Sequence, residues 1–363
     1  MSSILRSKLK KIQFPALTNI RNSKKKVKNA KGKIHLKYNH INNFVFNDAF
    51  DVKKIKYNKN YNNEQSLSLV FKTHLKDVFK IIKSNFKKDI KILEVGCGKG
   101  IFFEILEKRY KFIRGFDSTY EGKNKKIKKR YLDEKDIIDE KLIILRHTLE
   151  HIQKPYDFLF FLKKISINNP FILIEAPNFE WKLKRQTFFD ITYEQPNYFT
   201  MKTFQNIFSN KLIYKKKLFG KQYMLVVARL NDLNNNIKNN IKSRKITLDK
   251  LFPNLLKKFN TLKNINQNIF IWGGATKSLM FLIYLKVFNP SIFKKVKFAI
   301  DIDKKKQNKF LQIVDIMIIS PKKMLKIIKN GDTILISNSN YLFEIKKYVK
   351  EHIDLKIDYK CID

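Results

Sequence analysis

Two cysteines in 363 residues, Cys97 and Cys361, exclude a disulfide framework and a four-cysteine zinc site built from this chain alone. Arginine is also scarce: nine of the 76 basic residues are Arg and the rest Lys, although the net charge reaches +44. Arginines grouped for bidentate phosphate contacts are therefore missing. A lysine excess beside abundant Asn, Ile and Phe follows an AT-rich coding bias more simply than nucleic-acid recognition. Non-specific attraction to polyanions remains, with no specific nucleic-acid partner expected. No uninterrupted apolar run approaches the roughly 20 residues a membrane span requires. The first 47 residues hold no Asp or Glu and twelve Lys or Arg, without the apolar core of a signal peptide, and read as a solvated basic arm. These absences point to a cytoplasmic protein without a transmembrane segment. Hydrophobic residues at 44%, with 31 Phe, give a chain of this length enough apolar side chains for two domains.

The most informative segment is KILEVGCGKG, Lys91 to Gly100. Ile92, Leu93 and Val95 form a short apolar strand ending in Gly96, Gly98 and Gly100, where backbone can approach a ligand, and a helix starts near Ile101. Asp117 ends the next apolar run, FIRGFD, about 20 residues on, where a carboxylate can accept hydrogen bonds from ribose hydroxyls. The spacing rejects a dinucleotide fingerprint, because Ile101 stands where G-x-G-x-x-G needs its third glycine. By itself a glycine-rich loop leaves a structural turn as the lesser alternative; the acids before and after it favour a nucleoside pocket.

Along the chain, KIHLKY and NNFVFN read as short strands, and Leu67 to Ile82 carries helical spacing. Strands LIIL and FILIEAP alternate with a helix from about Pro155 to Ile165, which argues a parallel sheet with helices on both faces. Asn231 to Arg244, with six Asn, is a linker candidate. Beyond it IFIWGGATKSLMFLIYL and KFAIDID repeat the strand, glycine turn, helix and acid of the first half. The expected fold is α/β: a Rossmann-like domain followed by a second Rossmann-like α/β domain, with a small irregular N-terminal module. The boundaries read 1–64, 65–230, a linker at 231–248, and 249–363.

Glu94-x-Gly96-x-Gly98-x-Gly100 resembles the first motif of class I S-adenosylmethionine (SAM) methyltransferases, with Asp117 as their second-strand acid. RHTLEHIQKPYDFL, EAPNFEWKLKRQTFFDITYEQPNYFT, FGKQYMLVVA, IWGGATKSLMFL, AIDIDKKKQNKF and SNSNYLFEIK resemble successive landmarks of three-part sugar C-methyltransferases, over roughly residues 32 to 360. That type has an N-terminal zinc module, a central SAM domain and a C-terminal Rossmann-like domain. The resemblance implies methylation of a nucleotide-linked keto sugar on the carbon beside the carbonyl, for polysaccharide or antibiotic biosynthesis. It implies SAM bound by Glu94, Gly96, Cys97, Gly98, Gly100 and Asp117. Cys97 lies inside the glycine turn, where a small side chain suffices. Asp117→Ala is expected to weaken SAM binding with little effect on folding.

Two departures modify this expectation. Where the family commonly reads Tyr or His, Glu, His and uses the last His as base, this chain reads Tyr193-Glu194-Gln195, and an amide takes no proton. Three readings stay open: Tyr193, Glu194 or His147 acts as base, the acceptor is a hydroxyl or another group that needs less assistance, or the chain is a non-catalytic methyltransferase-like scaffold in a glycan pathway; His151 reads as structural. At the N-terminus, Asn39-His40-Ile41-Asn42 stands where relatives carry Cys-x-x-Cys, so no zinc is expected, and His35 and His40 read as surface residues. In the second repeat Gly273, Gly274 and Lys277 suit a phosphate and Asp301 a ribose, although Ser278 replaces a common glycine. A purely structural role for that repeat stays equally open, as does the oligomeric state.

Overall fold

The computed structural model describes residues 3–25, 27, 30–40, 43–57, 61, 62, 64–236 and 243–363. Its central sheet has seven strands: β1 (Ile92–Val95), β2 (Ile113–Phe116), β3 (Ile127–Lys128), β4 (Leu142–Arg146), β5 (Phe171–Pro177), β6 (Tyr214–Leu218) and β7 (Tyr223–Arg229). They lie in the order β3-β2-β1-β4-β5-β7-β6. β1 to β5 run parallel, and β7 is antiparallel to β5 and β6. β4 is apolar at consecutive positions because both sheet faces are covered. Ile143 and Leu145 join one core with α3 (Pro155–Lys164), whose first turn opens on a proline. Leu142 and Ile144 join the other, with α1 (Leu69–Asn85) and α2 (Ile101–Glu107). Ser68 caps α1 by accepting from the Phe71 N–H.

The second repeat folds as expected. β8 (Ile269–Trp272), β9 (Val296–Ile300), β10 (Phe310–Leu311), β11 (Ile316–Ile319), β12 (Thr333–Ile336) and β13 (Asp358–Cys361) form a sheet in the order β10-β11-β9-β8-β12-β13. All but β10 are parallel. α4 (Thr276–Phe288) follows the glycine turn and is buried from Ser278 to Leu285, as befits a helix apolar on every side. Its side chains share one core with Phe188, Phe189 and Ile191 of the central domain.

The reading of the first 47 residues as a solvated arm is corrected. Ala16, Leu17, Thr18, Arg21 and Asn22 are buried. Arg21 and Asn22 pair antiparallel with Leu311 and Phe310, adding an edge strand to the C-terminal sheet. The Arg21 guanidinium donates to the carbonyls of Gly274, Thr18 and Ile20, each at 2.8 Å. Charge alone misled, because these backbone acceptors satisfy the buried cation while Lys24 and Lys25 remain exposed.

Within the N-terminal module, Leu36–Asn39 and Phe44–Asn47 form a hairpin, flanked by Asn197–Tyr198 and by Ser243–Lys245 from the expected linker. Residues 237–242 of that linker, like Ile41 and Asn42, lie outside the described residues. Among the described residues no helix is long and apolar enough to cross a membrane.

Candidate active site

The glycine loop between β1 and α2 is left-handed at Gly96 (φ +80°) and Gly98 (φ +57°). A Cβ on Gly96 would lie 2.2 Å from Thr148 Oγ1, whereas beside Gly98 there is nothing within 4 Å, which leaves an open face. The Gly98 N–H donates to Asp117 Oδ2 at 2.7 Å, and the Thr119 N–H and hydroxyl both donate to Oδ1 at 2.7 Å. Three of the carboxylate's roughly four acceptor positions are thus used, leaving one on Oδ2 for a ribose. Asp117 therefore also braces the loop, which the sequence did not reveal. The Cys97 thiol donates to the Glu94 carbonyl at 3.2 Å and packs against Gly115. Burial pushes its pKa up, so the side chain is inert filling, with the backbone left to face a cofactor.

Glu94 is 2% exposed, and its Oε2 has no hydrogen-bond partner among the described residues. Burial, opposed by Arg146 and reinforced by Asp117, raises its carboxyl to about 7. Arg146 Nη2, at the end of the adjacent β4, is buried and also lacks a hydrogen-bond partner. These two groups suit the ammonium and carboxylate of an amino-acid moiety.

Arg146 also anchors a charged hub. Glu175, fully buried on β5, accepts from Arg146 Nε and from His74 Nε2 of α1, both at 2.6 Å. Burial would raise its carboxyl, but Arg146 and His147 hold it well below the usual range. His147 lies 3.6 Å from Glu175 and 3.5 Å from Glu150. Burial opposes its charge, yet these two carboxylates outweigh burial and raise the imidazole to about 9. His147, a candidate base from the sequence, is thus held toward its charged form by Glu175 and Glu150 and is poorly suited to accept a proton. His74, His147 and Glu175 are the one metal-ligand-like group among the described residues. The fixed Arg146 charge on the same carboxylate opposes a cation there, and the arrangement is an ion-pair hub.

A cavity of 380 Å³ lies between the carboxyl ends of the two sheets. The central domain contributes His147, His151, Thr192, Glu194 and Gln195; the C-terminal domain Gly273, Thr276, Lys277 and Asp301; and the N-terminal segment Asn19 and Tyr61. Glu194 is 3% exposed. Its Oε1 accepts from the Thr18 hydroxyl, which lies 2.8 Å from Thr276 Oγ1, so all three parts of the chain meet here. Burial pushes the Glu194 carboxyl up, against His151, Thr18 and Arg21. Among the described residues Glu194 Oε2, Thr192 Oγ1, Asp190 Oδ2 and Lys277 Nζ are buried without hydrogen-bond partners. The Lys277 ammonium is 3.4 Å from Asp190 and 4.7 Å from the Trp181 ring.

Tyr193 does not face this cavity, which corrects a second assignment. Fully buried, it leaves the segment away from Thr192 and Glu194. Its hydroxyl accepts from the Asp51 N–H at 2.7 Å, and its ring packs on Phe50 and Gly32. His151, read as structural, does line the cavity, and its Nδ1 donates to the Glu194 carbonyl at 2.6 Å. The pair of histidines four residues apart just after β4 was the available signal. In the second repeat Gly274 N–H donates to Asp301 Oδ2 at 2.9 Å, matching the Gly98 bond to Asp117. Asp301 also meets the Asp303 N–H at 2.8 Å and Lys306 at 3.4 Å.

A protein-family model described as a methyltransferase domain matches residues 71–211. No curated protein matches the chain. Among solved structures it is similar to the N-methyltransferase NodS of Bradyrhizobium japonicum, at 11% identity over 46% of this chain and 98% of that one, with a TM-score of 0.33. It is also similar to a SAM dependent methyltransferase of Aquifex aeolicus, at 17% identity over 46% of this chain and 100% of that one, with a TM-score of 0.34. The matched residues form a class I SAM-dependent methyltransferase domain, and the protein is a SAM-dependent methyltransferase. The open face at Gly98 and the orphaned Glu94 and Arg146 atoms fit its cofactor.

Proposed function

We propose that this methyltransferase acts in the cytoplasm on a nucleotide-linked keto sugar or a related glycan precursor, methylating carbon beside the carbonyl. One observation carries the reading: the 380 Å³ cavity is bordered by buried polar groups of both kinds, the Lys277–Asp190 ion pair at 3.4 Å and, without hydrogen-bond partners among the described residues, Glu194 Oε2 and Thr192 Oγ1. Such a wall is costly when empty of partners and suits a polyhydroxylated, anionic ligand rather than an apolar one. SAM, when bound, supplies an electrophilic methyl group on a sulfonium.

Glu94 and Arg146 would hold the amino-acid end of the cofactor, the Gly96 to Gly100 loop its nucleoside, and Asp117 one ribose hydroxyl. His147, protonated below about pH 9, presents an N–H at the cavity wall and would stabilise an enolate oxygen. Calorimetric titration with SAM, in the presence and absence of nucleotide-linked keto sugars, tests the reading. Micromolar SAM binding coupled to one sugar nucleotide is the expected result, and SAM binding indifferent to every sugar nucleotide refutes it. O-methylation of a similar small molecule is the second reading, favoured by Gln195, because a hydroxyl acceptor dispenses with carbon deprotonation.

A further inference from the structure

Carbon methylation needs a proton acceptor in the cavity, and three neighbouring residues fail the requirement. His147 is held toward its charged form, Tyr193 faces the N-terminal module, and Gln195 is an amide. We propose that His151 is the general base of this enzyme, an inference that rests on the keto-sugar reading above. A carbonyl oxygen only accepts hydrogen bonds, so the 2.6 Å contact with the Glu194 carbonyl places the ring proton on Nδ1. In the neutral imidazole the lone pair then resides on Nε2. Among the described residues Nε2 makes no hydrogen bond, and the ring lines the cavity. The short turn Leu149–His151 fixes it just beyond β4. The Glu194 carboxyl interacts electrostatically with the same ring.

In the step assigned to it, Nε2 takes the proton from the carbon beside the keto group. The C–H bond breaks and an N–H bond forms. The C–H electron pair becomes a carbon–carbon π bond, while the carbonyl π pair moves to oxygen, where the His147 imidazolium donates. The proton later passes from His151 to water.

The test uses the whole protein in heavy water with a nucleoside-diphosphate 4-keto-6-deoxyhexose and no SAM, following deuterium entry at the carbon next to the carbonyl. The wild-type protein is expected to catalyse exchange. His151→Asn keeps an amide donor for the Glu194 carbonyl but has no base, and is expected to lose about 10²–10⁴-fold in exchange rate. His151→Gly is expected to lose exchange and recover part of it with added imidazole, a rescue that a purely structural role would not give. Exchange that persists in His151→Asn, or that vanishes only in Glu194→Gln, overturns the assignment. Nitrogen NMR of the free protein judges His151 without any acceptor: a protonated Nδ1 with a bare Nε2 is expected, and an Nε2–H tautomer overturns the proposal. Absence of exchange in the wild-type protein refutes the keto-sugar reading instead, and the nitrogen spectrum then decides the tautomer by itself.

Discussion

Glu175→Gln tests the charged hub directly. The side chain is fully buried, and its two oxygens bind Arg146 and His74 at 2.6 Å, with His147 at 3.6 Å. The amide conserves shape but removes the negative charge that pairs with Arg146 and sets a donor against a donor at one of the two contacts. Removing one partner of a buried pair costs about 3–5 kcal/mol, because the other charge stays behind uncompensated. The same replacement at Glu180, whose bond to Lys217 is equally short at 2.6 Å but about two-fifths exposed at both ends, is expected to cost about 0.2–1 kcal/mol. Denaturant unfolding followed by circular dichroism at pH 6 measures both. The pH dependence supplies a second readout. The imidazole of His147 rises from 6.5 to about 9 on folding, so its contribution is fully present below pH 6.5 and is lost as pH rises through 9. Glu175→Gln removes the larger source of that rise, leaving Glu150, and the decline between pH 6.5 and 9 should flatten. A loss below about 1 kcal/mol at pH 6, or an unchanged decline, refutes the hub.

Glu94 rises from 4.5 to about 7 on folding, so the cofactor-free protein loses stability as pH climbs through that interval. Glu94→Gln is therefore expected to be about 1–3 kcal/mol more stable than wild type at pH 8 while binding SAM less tightly; equal stability at pH 8 would contradict it. Asp117→Ala strands the Gly98 and Thr119 donors, so besides weakening SAM binding it is expected to destabilise by about 1–3 kcal/mol, read by calorimetry and thermal melting; unaltered SAM affinity removes the site assignment. Ala at Gly96 or Gly98 bears a left-handed cost of about 1–2 kcal/mol, but only at Gly96 does the new Cβ collide with Thr148. Gly96→Ala should consequently melt lower than Gly98→Ala, and matching melts would dismiss the close approach.

Both sheets were legible because their strands carry unbroken apolar runs and their glycine turns recur with an acid after the next strand. The second repeat proved similar down to Gly274 bonding to Asp301. The burial of residues 16–22 was not legible, because a two-residue strand has no period and its partners lie about 290 positions away. Side-chain direction in the irregular segment after β5 was equally hidden. Tyr193 and Glu194 are neighbours in sequence, yet one anchors the N-terminal module and the other lines the cavity. The charge state of His147 depends on Glu175 from the adjacent strand, so the motif around His147 could not report it. His151 was overlooked because its hydrogen-bond partner is the main chain of Glu194, and backbone acceptors leave no trace in residue identity.

The buried Arg21 has a consequence in time. Its guanidinium waits for the carbonyl of Gly274, 253 residues downstream, which at about 5–20 residues per second emerges roughly 13–50 s later. Until then the nascent central domain can form its glycine loop, but the cavity lacks a wall, since Thr18 cannot bridge Glu194 to Thr276. Closing so long a loop costs only slightly more entropy than closing a short one. Assembly order thus leaves the cavity open until Gly274 and Thr276 have been made, and residues 18–21, made long before them, help to close it.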